Sequence, residues 1–234
     1  MITTLFWDID DTLLDFKRGE ATAIRQTFAE LGIPVTEENV RLYSEINDSL
    51  WKRLERRELT RDEVLVGRFA MLFDELGVTY DCRAAQELYF SFLGTQHDYI
   101  PGARETLDAL YGRYRMYAVS NGSTVIQNRR IADAGLDRYF DGIFLSQAIG
   151  AQKPDPAFFD ACFAAIPGLT RDAVLLIGDS LTSDMRGGEM AGLCTCWFNP
   201  HGKSNSLGVR IDYEIATPEE LLPLLNTLMS DKTV

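Results

Sequence analysis

Three carboxylates, Asp8, Asp10 and Asp11, interrupt the run LFWDIDDTLL (residues 5–14), which otherwise reads as a buried strand. Acids in such a place repel one another and lose hydration, so the cluster calls for a chemical reason. Other polar residues recur in the same setting, at the ends of short apolar runs. Ser120 and Asn121 follow MYAV (116–119), and Asp179 and Asp184 follow AVLLIG (173–178). Lys153 opens KPDP (153–156). Carboxylates act as nucleophiles and as general acids or bases, and clustered carboxylates hold hard cations. Hydroxyl and ammonium groups bind anionic oxygens.

Such distant residues meet only if the fold gathers them. TTLFWD (3–8), MYAVSN (116–121), GIFLS (142–146), AVLLIGD (173–179) and CTCWFN (194–199) read as strands, with DYEIA (212–216) a weaker sixth. The best of these runs are nearly all apolar, as expected for a parallel sheet covered on both faces. Helical patterns lie between them at 103–112, 123–134, 155–165, 182–191 and 218–229. The alternation predicts an α/β fold, a doubly wound parallel sheet. Ligands of such sheets bind outside the carboxyl ends of the strands. Asp8, Asp10, Ser120, Asn121, Asp179 and Asp184 are therefore expected to converge on one crevice.

Residues 15–98 break the alternation. Tyr43, Ile46, Leu50 and Leu54 recur at helical intervals, as do Val64, Phe69, Leu72, Phe73 and Leu76. Breaks near 32–34, Thr60 and 77–81 divide the segment into about four helices. The expectation is an α/β core of residues 1–14 and 99–234, with an inserted all-helical domain at 15–98.

Composition narrows the function classes. The chain has 234 residues and a net charge of −12. An acidic balance disfavours nucleic-acid backbone binding, which needs a positive footprint. No apolar run approaches the roughly 20 residues of a membrane span. Acids arrive by position 8, unlike the basic start and apolar stretch of a signal peptide. Cys82, Cys162, Cys194 and Cys196 read as small apolar residues of a reducing compartment, and the expected location is the cytoplasm.

The acids also imply a partner. Two unit charges about 4 Å apart at an effective dielectric of about 20 repel by roughly 4 kcal/mol. Lys153 alone does not neutralise Asp8, Asp10, Asp179 and Asp184. Either some of them stay protonated or a hard divalent cation is bound. Oxygen-only ligands favour Mg²⁺ over zinc, and Mg²⁺ is commonly completed by substrate phosphate. The implied ligand is a small phosphorylated metabolite.

DIDDT, VSNG, KPDP and IGDSLTSD resemble, in order, the four motifs of the haloacid dehalogenase superfamily. The helical insertion is similar to the superfamily's inserted helical cap. The resemblance implies that Asp8 is the nucleophile, forming an aspartyl-phosphate, and that Asp10 is the general acid and base. It implies Mg²⁺ held by Asp8, Asp179 and the Asp10 carbonyl, with Asp184 supporting the metal shell or Lys153. It assigns Ser120 and Lys153 to the phosphoryl oxygens, with Thr12 and Asn121 as further phosphate contacts. Asp11 is the variable position of the motif.

The insertion also resembles that of the pyrimidine 5′-nucleotidases, through EINDSLWKRLERRELT (45–60), GRF (67–69) and WFNP (197–200). That implies a nucleoside monophosphate substrate, with Asn47, Trp51, Phe69 and Asn199 as contacts. A sugar-phosphate or phosphoglycolate phosphatase, or a phosphomutase, shares the same motifs. Asp10 argues against a true haloacid dehalogenase. Outside enzymes, a receiver-like phosphoacceptor or a regulatory Mg²⁺-binding module also combines acids, a hydroxyl and a lysine. The large insertion and Asp10 favour turnover.

Each motif also has a plain reading. Asp10–Thr12 suit a turn or helix start, Ser120–Gly122 a turn, and Gly178–Ser180 a cap. Asp155 and Pro156 are expected to serve as N-cap and first residue of a helix. The basic residues of 51–61 read as a solvated helix face, and an aromatic in a cap helix is usually core. His97 and His201 read as surface or loop residues.

Overall fold

The structure is a computed structural model that describes residues 1–230. Six strands form one parallel sheet in the order β3-β2-β1-β4-β5-β6. They are β1 (Thr4–Trp7), β2 (Arg115–Ser120), β3 (Gly142–Leu145), β4 (Val174–Gly178), β5 (Cys194–Phe198) and β6 (Tyr213–Ile215). The chain leaves β1 for the β2 side, then returns across it to β4, which makes β1 the switch point of a doubly wound sheet.

The unbroken apolar runs follow from burial on both faces. Leu5, Trp7, Met116, Ala118, Leu175, Ile177, Cys196 and Phe198 pack into one core cluster. Their sequence neighbours Phe6, Tyr117, Val119, Val174 and Leu176 pack into another. Cys194 packs against the same cluster as Cys196, as their spacing of two requires. All four cysteines are free thiols.

The helices are α1 (Phe16–Leu31), α2 (Glu37–Glu55), α3 (Arg61–Glu75), α4 (Cys82–Leu93), α5 (Ala103–Leu110), α6 (Thr124–Ala134), α7 (Ser146–Ile149), α8 (Pro156–Ala165), α9 (Arg186–Ala191) and α10 (Leu221–Ser230). Their starts carry the expected chemistry. Thr60 and Glu63 form a capping box on α3. Asp155 caps α8 through the Ala157 N–H, with Pro156 in its first turn. One start differs from expectation. Residues 182–185, expected as the start of a helix over 182–191, instead belong to a π-helical turn, Leu181–Met185, before α9, and the Met185 N–H reaches back to the Ser180 carbonyl.

The chain divides into two compact units. Met1–Asp15 joins the chain from Asp98 onward, and Phe16–His97 forms the other. Within the first unit, the Asp15 N–H bonds the Asp98 carbonyl and the Ile100 N–H bonds the Leu13 carbonyl. The exit and re-entry points therefore lie side by side, so a long insertion leaves the sheet undisturbed.

The helical unit has an interior of its own. Tyr43, Phe69, Phe73 and Tyr89 form ring contacts there. A buried polar chain threads it: Asn47 donates to Glu20 and accepts from Arg68, and Arg68 also donates to Gln86. On its exterior, Lys52, Arg53 and Arg56 pair with Asp48 and Glu58. This is the solvated face expected of the basic stretch.

Candidate active site

Three neighbouring strands, β2, β1 and β4, deliver the site. Trp7 is level with Ala118 and Ile177 in the sheet. Asp8 therefore emerges from the sheet's centre, and its N–H still bonds the Ile177 carbonyl at 2.9 Å. The chain then turns sharply, with the Leu13 and Leu14 N–H groups both donating to the Ile9 carbonyl. Asp11 takes the left-handed conformation in this turn, φ 57°. Aspartate tolerates that region better than most residues. The third acid of the cluster thus shapes the loop.

Asp8 is 6% exposed. Its Oδ1 accepts from Lys153 Nζ at 2.6 Å, and its Oδ2 accepts from the Thr12 hydroxyl at 3.3 Å. Lys153, 1% exposed, uses all three donors: Asp8, the Val119 carbonyl at 2.8 Å, and Asp184 Oδ1 at 2.7 Å. Asp184 sits in the π-helical turn, and its Oδ2 accepts from the Ser180 N–H at 3.1 Å. Gly178 makes room for it. A Cβ on residue 178 would fall 2.4 Å from Asp184 Cγ.

Burial pushes the Asp8 carboxyl up to about 8; Lys153 opposes the rise, while Asp184 and Asp10 add to it. Burial also works against the Lys153 ammonium, but Asp184 and Asp8 outweigh it and hold the group above the usual lysine range. One lysine thus leaves the acids short of positive charge. Carboxylate oxygens of Asp8, Asp179 and Asp184 all lie within 4.8 Å of one another. Three oxygen donors at this spacing fit a hard divalent cation.

Comparison with known proteins follows the same lines. Residues 2–192 match the family described as haloacid dehalogenase-like hydrolase. The HAD-hydrolase YfnB of Bacillus subtilis is 41% identical over 223 residues, covering 95% of each chain. A solved structure of YfnB bound to magnesium superposes with a TM-score of 0.92 at 40% identity, covering 96% of this chain and 99% of that one. The pyrimidine 5′-nucleotidase PynA of Streptococcus pneumoniae is 36% identical over 229 residues, 97% of each chain.

The chain belongs to the haloacid dehalogenase-like hydrolase family.

It is an enzyme of that hydrolase family, and its sheet brings Asp8, Thr12, Ser120, Lys153, Asp179 and Asp184 to one end. Asp10 is there too, 26% exposed, with both carboxylate oxygens held from α6. The two residues holding it, Gln127 and Arg130, were not among the residues expected from sequence. They look like helix residues in NGSTVIQNRR. The available signal was a glutamine and an arginine three apart on the face that carries buried Ile126 and Ile131.

The other expected contacts have protein partners of their own. The Asn121 side chain clasps the main chain of Lys153, donating to its carbonyl at 2.8 Å and accepting from its N–H at 2.9 Å. These two bonds hold the lysine loop. The Asn199 amide bonds Lys203 through both its atoms and also reaches Glu214, closing its own loop. Asn47 and Phe69 lie inside the helical unit, one in its polar chain and the other in its aromatic core. The Thr12 hydroxyl donates to Asp8 Oδ2. Trp51 stays partly exposed, with the Arg61 guanidinium over its ring at 5.4 Å. Among the described residues, no helix is long and apolar enough to cross a membrane.

Proposed function

We propose that this hydrolase is a Mg²⁺-dependent phosphatase that works through an aspartyl-phosphate on Asp8. The observation that carries this reading is the Lys153 ammonium bridging Asp8 and Asp184, beside an oxygen-only cluster completed by Asp179. A carboxylate nucleophile, a cation for phosphoryl oxygens and a dication site are the parts that phosphoryl transfer needs.

In the proposed reaction, an Asp8 carboxylate oxygen attacks phosphorus, and the bond to the leaving oxygen breaks. Asp10 gives its proton to that oxygen. The same carboxylate then takes a proton from water, whose oxygen attacks phosphorus and releases inorganic phosphate from Asp8. Lys153 stands beside Asp8 and offers positive charge to the equatorial oxygens, while the Ser120 hydroxyl offers a donor. Thr12 and Asn121 hold the nucleophile and the lysine loop. Asp8 and Asp179 would hold Mg²⁺ with the Asp10 carbonyl, and Asp184 would support Lys153. When bound, the ion draws charge from the phosphoryl group.

The substrate class we propose is the nucleoside monophosphates, pyrimidine ones first. Support comes from the relationship to PynA along nearly the whole chain. We assign the choice of leaving group to the helical unit, with Trp51 as its base-contacting residue. The cytoplasm is the proposed location. The test is phosphate release from p-nitrophenyl phosphate and from a panel of nucleoside monophosphates and sugar phosphates, with and without Mg²⁺. The reading predicts Mg²⁺-dependent turnover with pyrimidine nucleotides preferred, and a loss of about 10²–10⁴-fold in Asp10→Asn. A preference for sugar phosphates would move the substrate class. An Asp10→Asn enzyme as fast as wild type would remove that residue from the mechanism.

A further inference from the structure

The Asp10 carboxylate does not stand alone at the strand end. Gln127 Nε2 donates to its Oδ2 at 2.7 Å, and Arg130 Nη1 donates to its Oδ1. The same Gln127 nitrogen donates to Ser120 Oγ at 2.8 Å, and Gln127 Oε1 accepts from Arg130 Nη1 at 2.9 Å. Both amide protons of Gln127 are thus committed, and its orientation is set by three partners. Arg130 and Gln127 are each 1% exposed, so the donor ends of these bonds lie out of water, where an unmade partner costs most, while Asp10 keeps 26% of its side chain exposed.

The backbone is shaped around this arrangement. A Cβ on Gly122 would fall 2.5 Å from Gln127 Cγ. The glycine after Ser120-Asn121 is therefore the residue that lets Gln127 cross to Asp10. Burying an arginine beside a carboxylate is a weak device for stability, because well-packed apolar residues commonly do as well. What the pair and the amide do supply is a fixed direction for a carboxylate at the rim of the site.

We propose that Gln127 and Arg130 are positioning residues that fix the Asp10 carboxylate for proton transfer to the leaving oxygen, with Gln127 coupling that orientation to Ser120. The inference rests on the phosphatase reading above. It makes a demand that a merely structural role does not. An alkyl ester such as a nucleoside monophosphate leaves as a strongly basic alkoxide and needs a well-placed proton. Nitrophenolate departs without one. Loss of the positioning should therefore change the ratio of kcat/KM for the alkyl ester to kcat/KM for p-nitrophenyl phosphate. That constant reports steps up to the transfer onto Asp8 and so isolates departure of the leaving group.

The experiment measures this ratio in wild type, Gln127→Met and Arg130→Met, using the best alkyl ester of the substrate panel, with melting temperatures as a check on folding. Gln127→Asn and Arg130→Lys read the same ratio with smaller disturbance if either methionine variant fails to fold. The proposal expects the ratio to fall about tenfold, a fraction of the full general-acid factor. It also expects Gln127→Met to have no further effect on the ratio in an Asp10→Asn background. An unchanged ratio, or an equal further fall in that background, overturns it. Wild-type enzyme that releases phosphate from no ester would instead remove the phosphatase reading itself, and this is seen before any variant is made.

Discussion

Lys153 Nζ lies 2.6 Å from Asp8 Oδ1, across 145 positions of sequence, and 2.7 Å from Asp184 Oδ1. Both acids and the lysine are almost wholly buried, so none can exchange its partner for water. This triad joins the end of β1, the turn after β4 and the loop before α8.

Removing the lysine should cost both stability and turnover. Lys153→Met leaves Asp8 and Asp184 buried without the cation they share, and loss of one partner of a buried pair typically costs about 3–5 kcal/mol. Urea melts of the metal-stripped variant will show the loss. Removal of one preorganised donor of this type also lowers kcat by about 10²–10³-fold. A variant as stable as wild type would mean that the two acids are held apart by other means.

Asp8 binds its proton more tightly in the folded chain than in the unfolded one, since burial raises it from 3.8 to about 8. Its contribution to stability is full in acid and is lost as pH rises through that interval. A dication displaces the proton and relieves the penalty. The rise in Tm on adding Mg²⁺ should therefore grow between about pH 5 and pH 8. Melting curves in Mg²⁺ and in chelator across this range test the point. A pH-independent difference would place the metal away from Asp8.

Gly178→Ala tests how tightly the site is built. The added methyl would sit 2.4 Å from Asp184 Cγ, and neither β4 nor the buried aspartate has room to yield. We expect turnover to fall at least about tenfold and stability to drop by about 1–3 kcal/mol, the usual cost of overpacking. Steady-state kinetics and urea melts provide both readings.

Trp51→Ala addresses the substrate class. If the indole meets the base, KM should rise for nucleotides by about 5- to 150-fold, as expected from about 1–3 kcal/mol of stacking. For p-nitrophenyl phosphate it should move far less. Equal shifts for both would make Trp51 a packing residue beneath Arg61.

Much of this was legible in the sequence because the sheet is buried on both faces and its strands are short, apolar and separated by helices. Each strand end then displayed its polar residue openly, as with Asp8, Ser120 and Asp179. Side-chain commitments were less visible. Asn121 and Asn199 look like ligands in a string of letters, yet Asn121 ties down the distant main chain of Lys153 and Asn199 closes its own loop on Lys203. Phe69 and Asn47 sit on helix faces whose direction depends on packing. Gln127 and Arg130 carry no mark in the sequence because their partners lie outside their helix, Asp10 in the turn after β1 and Ser120 at the end of β2. The π-helical turn at Asp184 has no sequence mark beyond Gly178, whose missing side chain makes the room.

The central claim is a covalent bond between Asp8 and phosphorus. The direct measurement is a rapid acid quench of the enzyme with a radiolabelled phosphate ester and Mg²⁺, followed by peptide mapping. A hydroxylamine-labile label is expected on the peptide containing Asp8, accumulating further in Asp10→Asn and absent in Asp8→Asn. Phosphate release at full rate with no label on that peptide, or undiminished turnover by Asp8→Asn, would contradict the claim.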